Sequence, residues 1–253
     1  MRIIACYSNK GGVGKTATSV NLAYAAAAAG LKTLICDLDP QGASSFYFRV
    51  KPSKKLVEDK FFKDEQKFIK AIRGSDFDNL DVLPANMTFR DFDIFLSRMK
   101  NSQSRLKKAL KAVDNDYDLI VLDCSPNISA LSESVFKAAE LIVVPVIPTT
   151  LSERTLEQLL DFFKDHGLDR RKLAPFFSMV QSSKKLHTET MERLRAEYGK
   201  LFLDTALPFS ADVEKMGVHR APVGTFAATR PAGKAYAGLW QDLQDRLGLK
   251  AGK

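Results

Sequence analysis

Lys10-Gly11-Gly12-Val13-Gly14-Lys15-Thr16 follows directly on the apolar run Ile3-Ile4-Ala5-Cys6-Tyr7 and leads straight into a helix-like segment. A strand feeding a glycine-rich turn that opens a helix is the geometry of a phosphate-binding loop, in which backbone N–H groups and the helix N-terminus converge on an anion. The stretch therefore predicts nucleoside triphosphate binding. Lys15 stands where the loop lysine reaches the β- and γ-phosphates, and Thr16 where a hydroxyl ligates Mg2+. The strict loop pattern places glycine at position 9, yet Asn9 stands there and Lys10 follows it. The loop thus carries a lysine at each end.

Two acidic clusters follow at strand ends. Lys32-Thr33-Leu34-Ile35-Cys36-Asp37 reads as a buried strand, after which Leu38-Asp39-Pro40-Gln41-Gly42 turns the chain: Pro40 stops the ladder and Gly42 permits the bend. Asp37 and Asp39 are two apart, so an extended backbone would point both carboxylates to one side. Such a pair beside a phosphate loop suits Mg2+ placement and orientation of an attacking water, or else the capping of the turn that follows. Further on, Tyr117-Asp118-Leu119-Ile120-Val121-Leu122-Asp123 is an apolar run ending in an acid. A carboxylate there can hold a Mg2+-bound water; taken alone it reads more readily as a strand end. The three signals in this order reinforce one another.

The lysine-first loop KGGVGKT resembles the deviant Walker A motif of the ParA/MinD family of partitioning and positioning ATPases. DLDPQG resembles that family's second acidic motif, and the run ending at Asp123 its Walker B strand. The resemblance extends over nearly the whole chain, with motifs specific in the first half and looser after Pro126. It implies ATP bound by Gly11, Gly12, Val13, Gly14, Lys15, Thr16 and Ala17, with Mg2+ on the side of Thr16, Asp39 and Asp123. It also implies a catalytic set of Lys10, Lys15 and Asp39. In that set Asp39 positions the hydrolytic water, and Lys10 crosses an ATP-dependent homodimer to the partner's phosphates. Ala17 replaces a second threonine frequent in relatives, and Ser125-Pro126 a pair of prolines. The segment Leu207 to Asp212 resembles the loop that approaches adenine. Pro208 is carried over from it, whereas Phe209 and Ser210 replace the usual arginine and asparagine. The run Val144 to Thr149 and the helix after it correspond to the dimer face of relatives. Lys184, Lys185, His187, Arg220, Arg230 and Lys234 lie in the C-terminal third, where the resemblance implies contacts to DNA backbone that do not read sequence; solvated surface charge is an equal reading of each. A ParB-like or adaptor protein linking the ATPase to its cargo is the further implied partner.

At 253 residues and 45% hydrophobic content the chain can bury one substantial core, so residues 1–253 are read as a single P-loop ATPase domain. Strand-like runs at 2–7, 32–37, 80–84, 118–123, 141–147, 173–180 and 202–207 alternate with helical segments, which predicts an α/β fold: a mostly parallel, doubly wound sheet with helices on both faces. The first helix carries Ala25 to Ala29 and stops at Gly30. Later helices are read at about Ser129 to Ala139 and Ser152 to Asp165. A formal charge of +8 and a pI near 9.3 raise the expectation of an anionic polymer partner, nucleic acid or membrane surface, without choosing between them. No apolar segment reaches spanning length and no signal-peptide pattern opens the chain, which points to the cytoplasm, and to the nucleoid if the polymer is DNA. Cys6, Cys36 and Cys124 sit in or beside predicted strands and read as free core thiols, with no cluster; the three histidines show no zinc spacing. The lysine-rich stretch from Arg49 to Gly74 reads as a solvated amphipathic helix or pair.

The last helix separates the remaining alternatives. Tyr236, Leu239, Trp240, Leu243 and Leu247 form one apolar stripe. The opposite face mixes Gln241, Asp242, Gln244 and Asp245 with only Arg246 and Lys250 nearby. Acids there oppose attraction to anionic lipid, so docking on the core is expected rather than a MinD-like membrane anchor. A metabolic P-loop enzyme with a small-molecule acceptor is the other alternative.

Overall fold

Short runs rich in Val, Ile and Leu that are apolar on both faces make buried parallel strands, because helices must cover each face of a sheet whose crossovers are helical. The computed structural model describes residues 1–51, 65–85 and 102–249. Its strands are β1 (Arg2–Cys6), β2 (Thr33–Asp37), β3 (Arg73–Gly74), β4 (Leu80–Leu83), β5 (Leu119–Asp123), β6 (Leu141–Val146) and β7 (Leu173–Phe177). They form one sheet in the order β3-β4-β2-β5-β1-β6-β7. Every pairing is parallel except the two-residue β3 edge, which runs antiparallel to β4. The described helices are α1 (Lys15–Ala28), α2 (Ala43–Tyr47), α3 (Glu65–Ala71), α4 (Ser102–Lys111), α5 (Ala130–Ala138), α6 (Thr150–Asp165), α7 (Lys185–Tyr198), α8 (Ala211–His219), α9 (Val223–Phe226) and α10 (Pro231–Leu247).

The two-residue alternation of β5 sorts its side chains between two cores. Ile120 and Leu122 pack with Leu110, Phe136 and Phe163 on one face, while Leu119 and Val121 pack with Val20, Leu239 and Trp240 on the other. The sheet is therefore doubly wound, as expected. The apolar stripe of α10 lies in the second core: Tyr236, Leu239, Trp240, Leu243 and Leu247 are all buried. A buried amide joins this layer to α1. Asn21 donates to the Ala17 carbonyl (2.7 Å) and accepts the Val223 N–H (2.8 Å).

Two strand expectations are corrected. Residues 202–207 do not form a strand. They follow the edge of β7 through Leu203 N–H to Pro175 O and Leu207 N–H to Phe177 O, both 2.8 Å. Between these, the Thr205 N–H turns away to the Asp242 carboxylate (2.8 Å), so a continuous ladder does not form. The run expected at 173–180 ends at Phe177, and Met179 adopts a left-handed φ of 54° that no strand accommodates. The β3 edge is too short to leave a periodic signal. Of the lysine-rich stretch, residues 52–64 lie outside the described residues. Its described end, α3, buries Phe68 and Ala71.

Leu239 is completely buried. Leu239→Ala is expected to lower unfolding stability by about 2–5 kcal/mol, the range for a core leucine truncation, measured by urea titration followed by circular dichroism.

Candidate functional site

The carboxyl ends of β1, β2 and β5 meet at one edge of the sheet, where Asp123 stands level with Cys6 on one side and Asp37 on the other. In an open parallel sheet ligands collect at this edge. The phosphate loop leaves β1 there. Gly12 and Gly14 hold left-handed φ values of 70° and 93°. A Cβ at Gly14 would also press to 3.3 Å from the Ser178 hydroxyl, which itself donates to the Val13 carbonyl (2.9 Å) and ties the loop to the segment after β7. Val13 is buried beneath the loop. Because Gly14 caps α1 without a side chain, and the first internal bond is Thr18 N–H to Gly14 O (2.9 Å), the N–H groups of Lys15, Thr16 and Ala17 take no partner among the described residues at the positive end of the helix dipole.

The two loop lysines point to different places. Lys15 is buried, and its ammonium donates to the Lys10 carbonyl at 2.9 Å. Burial pulls its pKa down, and the carboxylates of Asp123 and Asp39 oppose that shift. Lys10 instead donates to the Ser152 hydroxyl (3.0 Å) in the first turn of α6.

Asp123 is wholly buried. Ser19 donates to its Oδ1 (2.9 Å), while Oδ2 has no hydrogen-bond partner among the described residues. Burial, with the neighbouring Asp37 charge, pushes its carboxyl up to about 7. An unpartnered buried carboxylate oxygen lacks the cation or donor it is built for. The hard oxygens of Asp123, Thr16 and Asp39 fit Mg2+. Among the described residues no group of three or more His, Cys, Asp or Glu could hold a metal alone, so phosphate and water oxygens would complete the shell.

Past Asp37 the Leu38 N–H still bonds the Asp123 carbonyl (2.9 Å), so Asp39 follows directly on the strand end. β2 ends at Asp37, which stays buried, and the Asp39 N–H folds back onto Asp37 Oδ1 (3.3 Å). Asp39 is half-buried, and its Oδ1 accepts the Gln41 N–H (2.9 Å).

Pro208 makes an isolated parallel bridge with Val180. Phe209 is 53% exposed beside it, and Ser210 caps α8 through the Asp212 N–H (3.2 Å). Lys184 and Lys234 are exposed. Lys185 pairs with Glu189 (3.2 Å), and Arg230 with the buried Asp212 (2.9 Å). Arg220 lies over the Phe46 ring and donates to the Phe46 carbonyl (3.1 Å). His187 is buried, and its Nδ1 accepts the Gln181 N–H (3.2 Å). Cys6, Cys36 and Cys124 are buried free thiols. Sequence reasoning missed the serines that hold the site together, Ser19, Ser152 and Ser178. Only Ser19, one helical turn after Lys15, carried a spacing that could have flagged it.

A family model described as an AAA domain matches residues 1–174. Sporulation initiation inhibitor protein Soj from Bacillus subtilis (strain 168) is 28% identical over 248 residues, covering 96% of this chain and 98% of that protein. Chromosome partitioning protein ParA from Caulobacter vibrioides is 26% identical over 256 residues, covering 97% of this chain and 95% of that protein. Among solved structures, a putative plasmid partition protein from Borrelia burgdorferi B31 bound to AMPPNP superposes with a TM-score of 0.83 at 20% identity, over 97% of this chain and 99% of that one. At that identity the last comparison establishes the fold.

The raised Asp123 carboxyl predicts a pH signature. The folded protein keeps a proton there up to about pH 7, while an unfolded aspartate loses it near 3.8. The unfolded chain therefore binds fewer protons in between, and this group makes stability fall as pH rises through that window. Asp123→Asn is expected to raise the melting temperature of nucleotide-free protein at pH 8 and leave it little changed at pH 4. Differential scanning calorimetry at the two pH values checks this.

Proposed function

The chain belongs to the ParA/MinD family of P-loop ATPases, and on that premise we propose that it is a Mg2+-dependent, ParA-like ATPase that dimerises on ATP, binds DNA non-specifically and positions a cargo. The cargo is a plasmid, a chromosome region or a protein assembly, reached through a ParB-like or adaptor protein. The observation that carries this reading is the division of labour between the loop lysines. Lys15 turns inward and is held on the Lys10 carbonyl, whereas Lys10 reaches away from its own loop to Ser152. A cation held outside its own phosphate cradle is placed to serve a second one. When two triphosphates face each other across a two-fold axis, such a charge offsets their repulsion.

Within one protomer, the open N–H groups of residues 15–17 and the Lys15 ammonium would bind the phosphates, and Thr16, Asp39 and Asp123 would hold Mg2+. The ion would neutralise charge developing on the phosphate oxygens. Asp39 has one oxygen occupied by the Gln41 N–H, which leaves the other to orient the attacking water. Phosphoryl transfer needs mainly placement and charge, so a carboxylate at this position controls turnover more than affinity. The net charge of +8 and the exposed Lys184 and Lys234 support an anionic polymer partner. Relatives named as partitioning proteins support DNA as that polymer. Burial of the α10 stripe supports DNA over a membrane surface, and with it a cytoplasmic, nucleoid-associated protein. Among the described residues, no helix is long and apolar enough to cross a membrane.

Asp39→Ala is expected to retain ATP binding and to lose turnover by about a hundredfold, whereas Lys15→Ala weakens nucleotide affinity itself. Fluorescent-nucleotide titration beside phosphate release separates the two; turnover in Asp39→Ala equal to wild type removes Asp39 from its role. Duplex binding should be strong with ATP and weak with ADP, since a dimer doubles the phosphate contacts. Lys184→Glu with Lys185→Glu should weaken binding to unrelated duplexes alike and flatten its salt dependence, with basal hydrolysis unchanged. Retention on anionic liposomes without any on DNA favours the membrane alternative, and turnover stimulated by a small metabolite alone favours the metabolic one.

A further inference from the structure

Asp37 is a buried carboxylate that the chemistry above does not use, and both its oxygens are occupied. Oδ1 accepts the Asp39 N–H at 3.3 Å. Oδ2 accepts both the Ser45 N–H (2.8 Å) and the Ser45 hydroxyl (2.6 Å). Asp123, one strand away, keeps an oxygen with no partner among the described residues. The two neighbouring acids are thus built for different tasks: one is left open toward a cation, the other is saturated by backbone and hydroxyl donors.

The donors on Asp37 come from the two ends of the turn that carries Asp39. Because Gly42 caps α2 without a side chain, the Asp37 carboxylate takes the orphan N–H of Ser45 in the first turn of α2, from outside the helix. The Ser45 hydroxyl, while donating to Asp37, also accepts the Ala85 N–H (2.9 Å) just beyond β4. Ser45 and Ala85 are both buried, so each bond replaces one that water cannot supply. Within the turn, the Gly42 N–H bonds the Asp39 carbonyl (2.9 Å) and the Gln41 N–H bonds its side chain. Asp39 is thereby held at its N–H, its carbonyl and its carboxylate.

We propose that Asp37 and Ser45 form a brace, anchored on Ala85 beyond β4, that positions Asp39 for hydrolysis; both are positioning residues. The inference rests on the reading of Asp39 as the group that orients the attacking water. A misplacement of a fraction of an ångström at that carboxylate reduces turnover while leaving the phosphate cradle intact.

The test compares Ser45→Ala, Ser45→Thr, Asp39→Ala and the double variant Asp39→Ala with Ser45→Ala, using the full chain with ATP and Mg2+. Single-turnover hydrolysis and fluorescent-nucleotide affinity are measured in parallel. Ser45→Ala is expected to slow hydrolysis by about tenfold or more with affinity changed by less than about twofold. Ser45→Thr, which keeps the hydroxyl, should recover most of the rate. The double variant should be no slower than Asp39→Ala alone, because Ser45 acts only through Asp39. If Ser45→Ala does not fold, Ser45→Cys keeps the size while giving up most of the hydrogen-bond strength, and the same outcomes apply. An unimpaired Ser45→Ala, a loss confined to affinity, or a double variant slower than Asp39→Ala overturns the brace. Wild-type protein that does not hydrolyse ATP overturns the ATPase reading and the brace together, whereas wild-type turnover with an unimpaired Ser45→Ala overturns the brace alone.

Discussion

The placement of one carboxylate, Asp123, at the centre of a buried parallel sheet constrains the rest of this molecule. Its strand is flanked by β1 and β2, and its side chain meets the first turns of α1 through Ser19. Removing a charge from water is unfavourable unless something compensates, and Ser19 supplies a donor to only one oxygen. The deficit draws the remaining features to the same edge. The lysine of the loop and the Thr16 hydroxyl lie beside the acid, and a nucleotide with its cation would complete them. Apolar packing on both faces of β5 holds the acid where it would not otherwise settle.

The sheet was legible because its signals were local and repeated. The central strands β1, β2, β5 and β6 appear as apolar runs, and a glycine-rich turn with a lysine at its helical end, set between a strand and a helix, is specific to phosphate binding. Helix ends could be read as well: α5 begins after Ser129, whose side chain accepts the Ser132 N–H and caps it. The failures came from competition that sequence spacing does not record. Residues 202–207 have strand-like composition, but the Asp242 side chain takes the Thr205 N–H that a ladder would need. Beyond β2 the Asp37 carboxylate takes the Ser45 N–H and hydroxyl, partners that the two-residue spacing of Asp37 and Asp39 does not reveal. Serine is too common for Ser19, Ser45, Ser152 or Ser178 to stand out before the fold brings each to its partner.

Charge in the C-terminal third shows a similar gap between composition and structure. Basic residues that look equivalent in sequence differ once folded. Lys184 and Lys234 extend into solvent, while Arg230 is tied to a buried aspartate and Arg220 to a ring and a carbonyl. A phosphate can take the first pair directly, but must share or displace the partners of the second.

The Asn21 amide, bonded within α1 and to the Val223 N–H, ties the helix that follows the phosphate loop to the layer containing α9 and α10. Since the bond crosses between elements, its breakage marks the separation of two layers rather than the fraying of one helix. The Val223 amide proton is therefore a natural gauge of that seam. Its exchange with deuterated solvent reports, about halfway along α1, how firmly the end that grips phosphate is coupled to the end that does not.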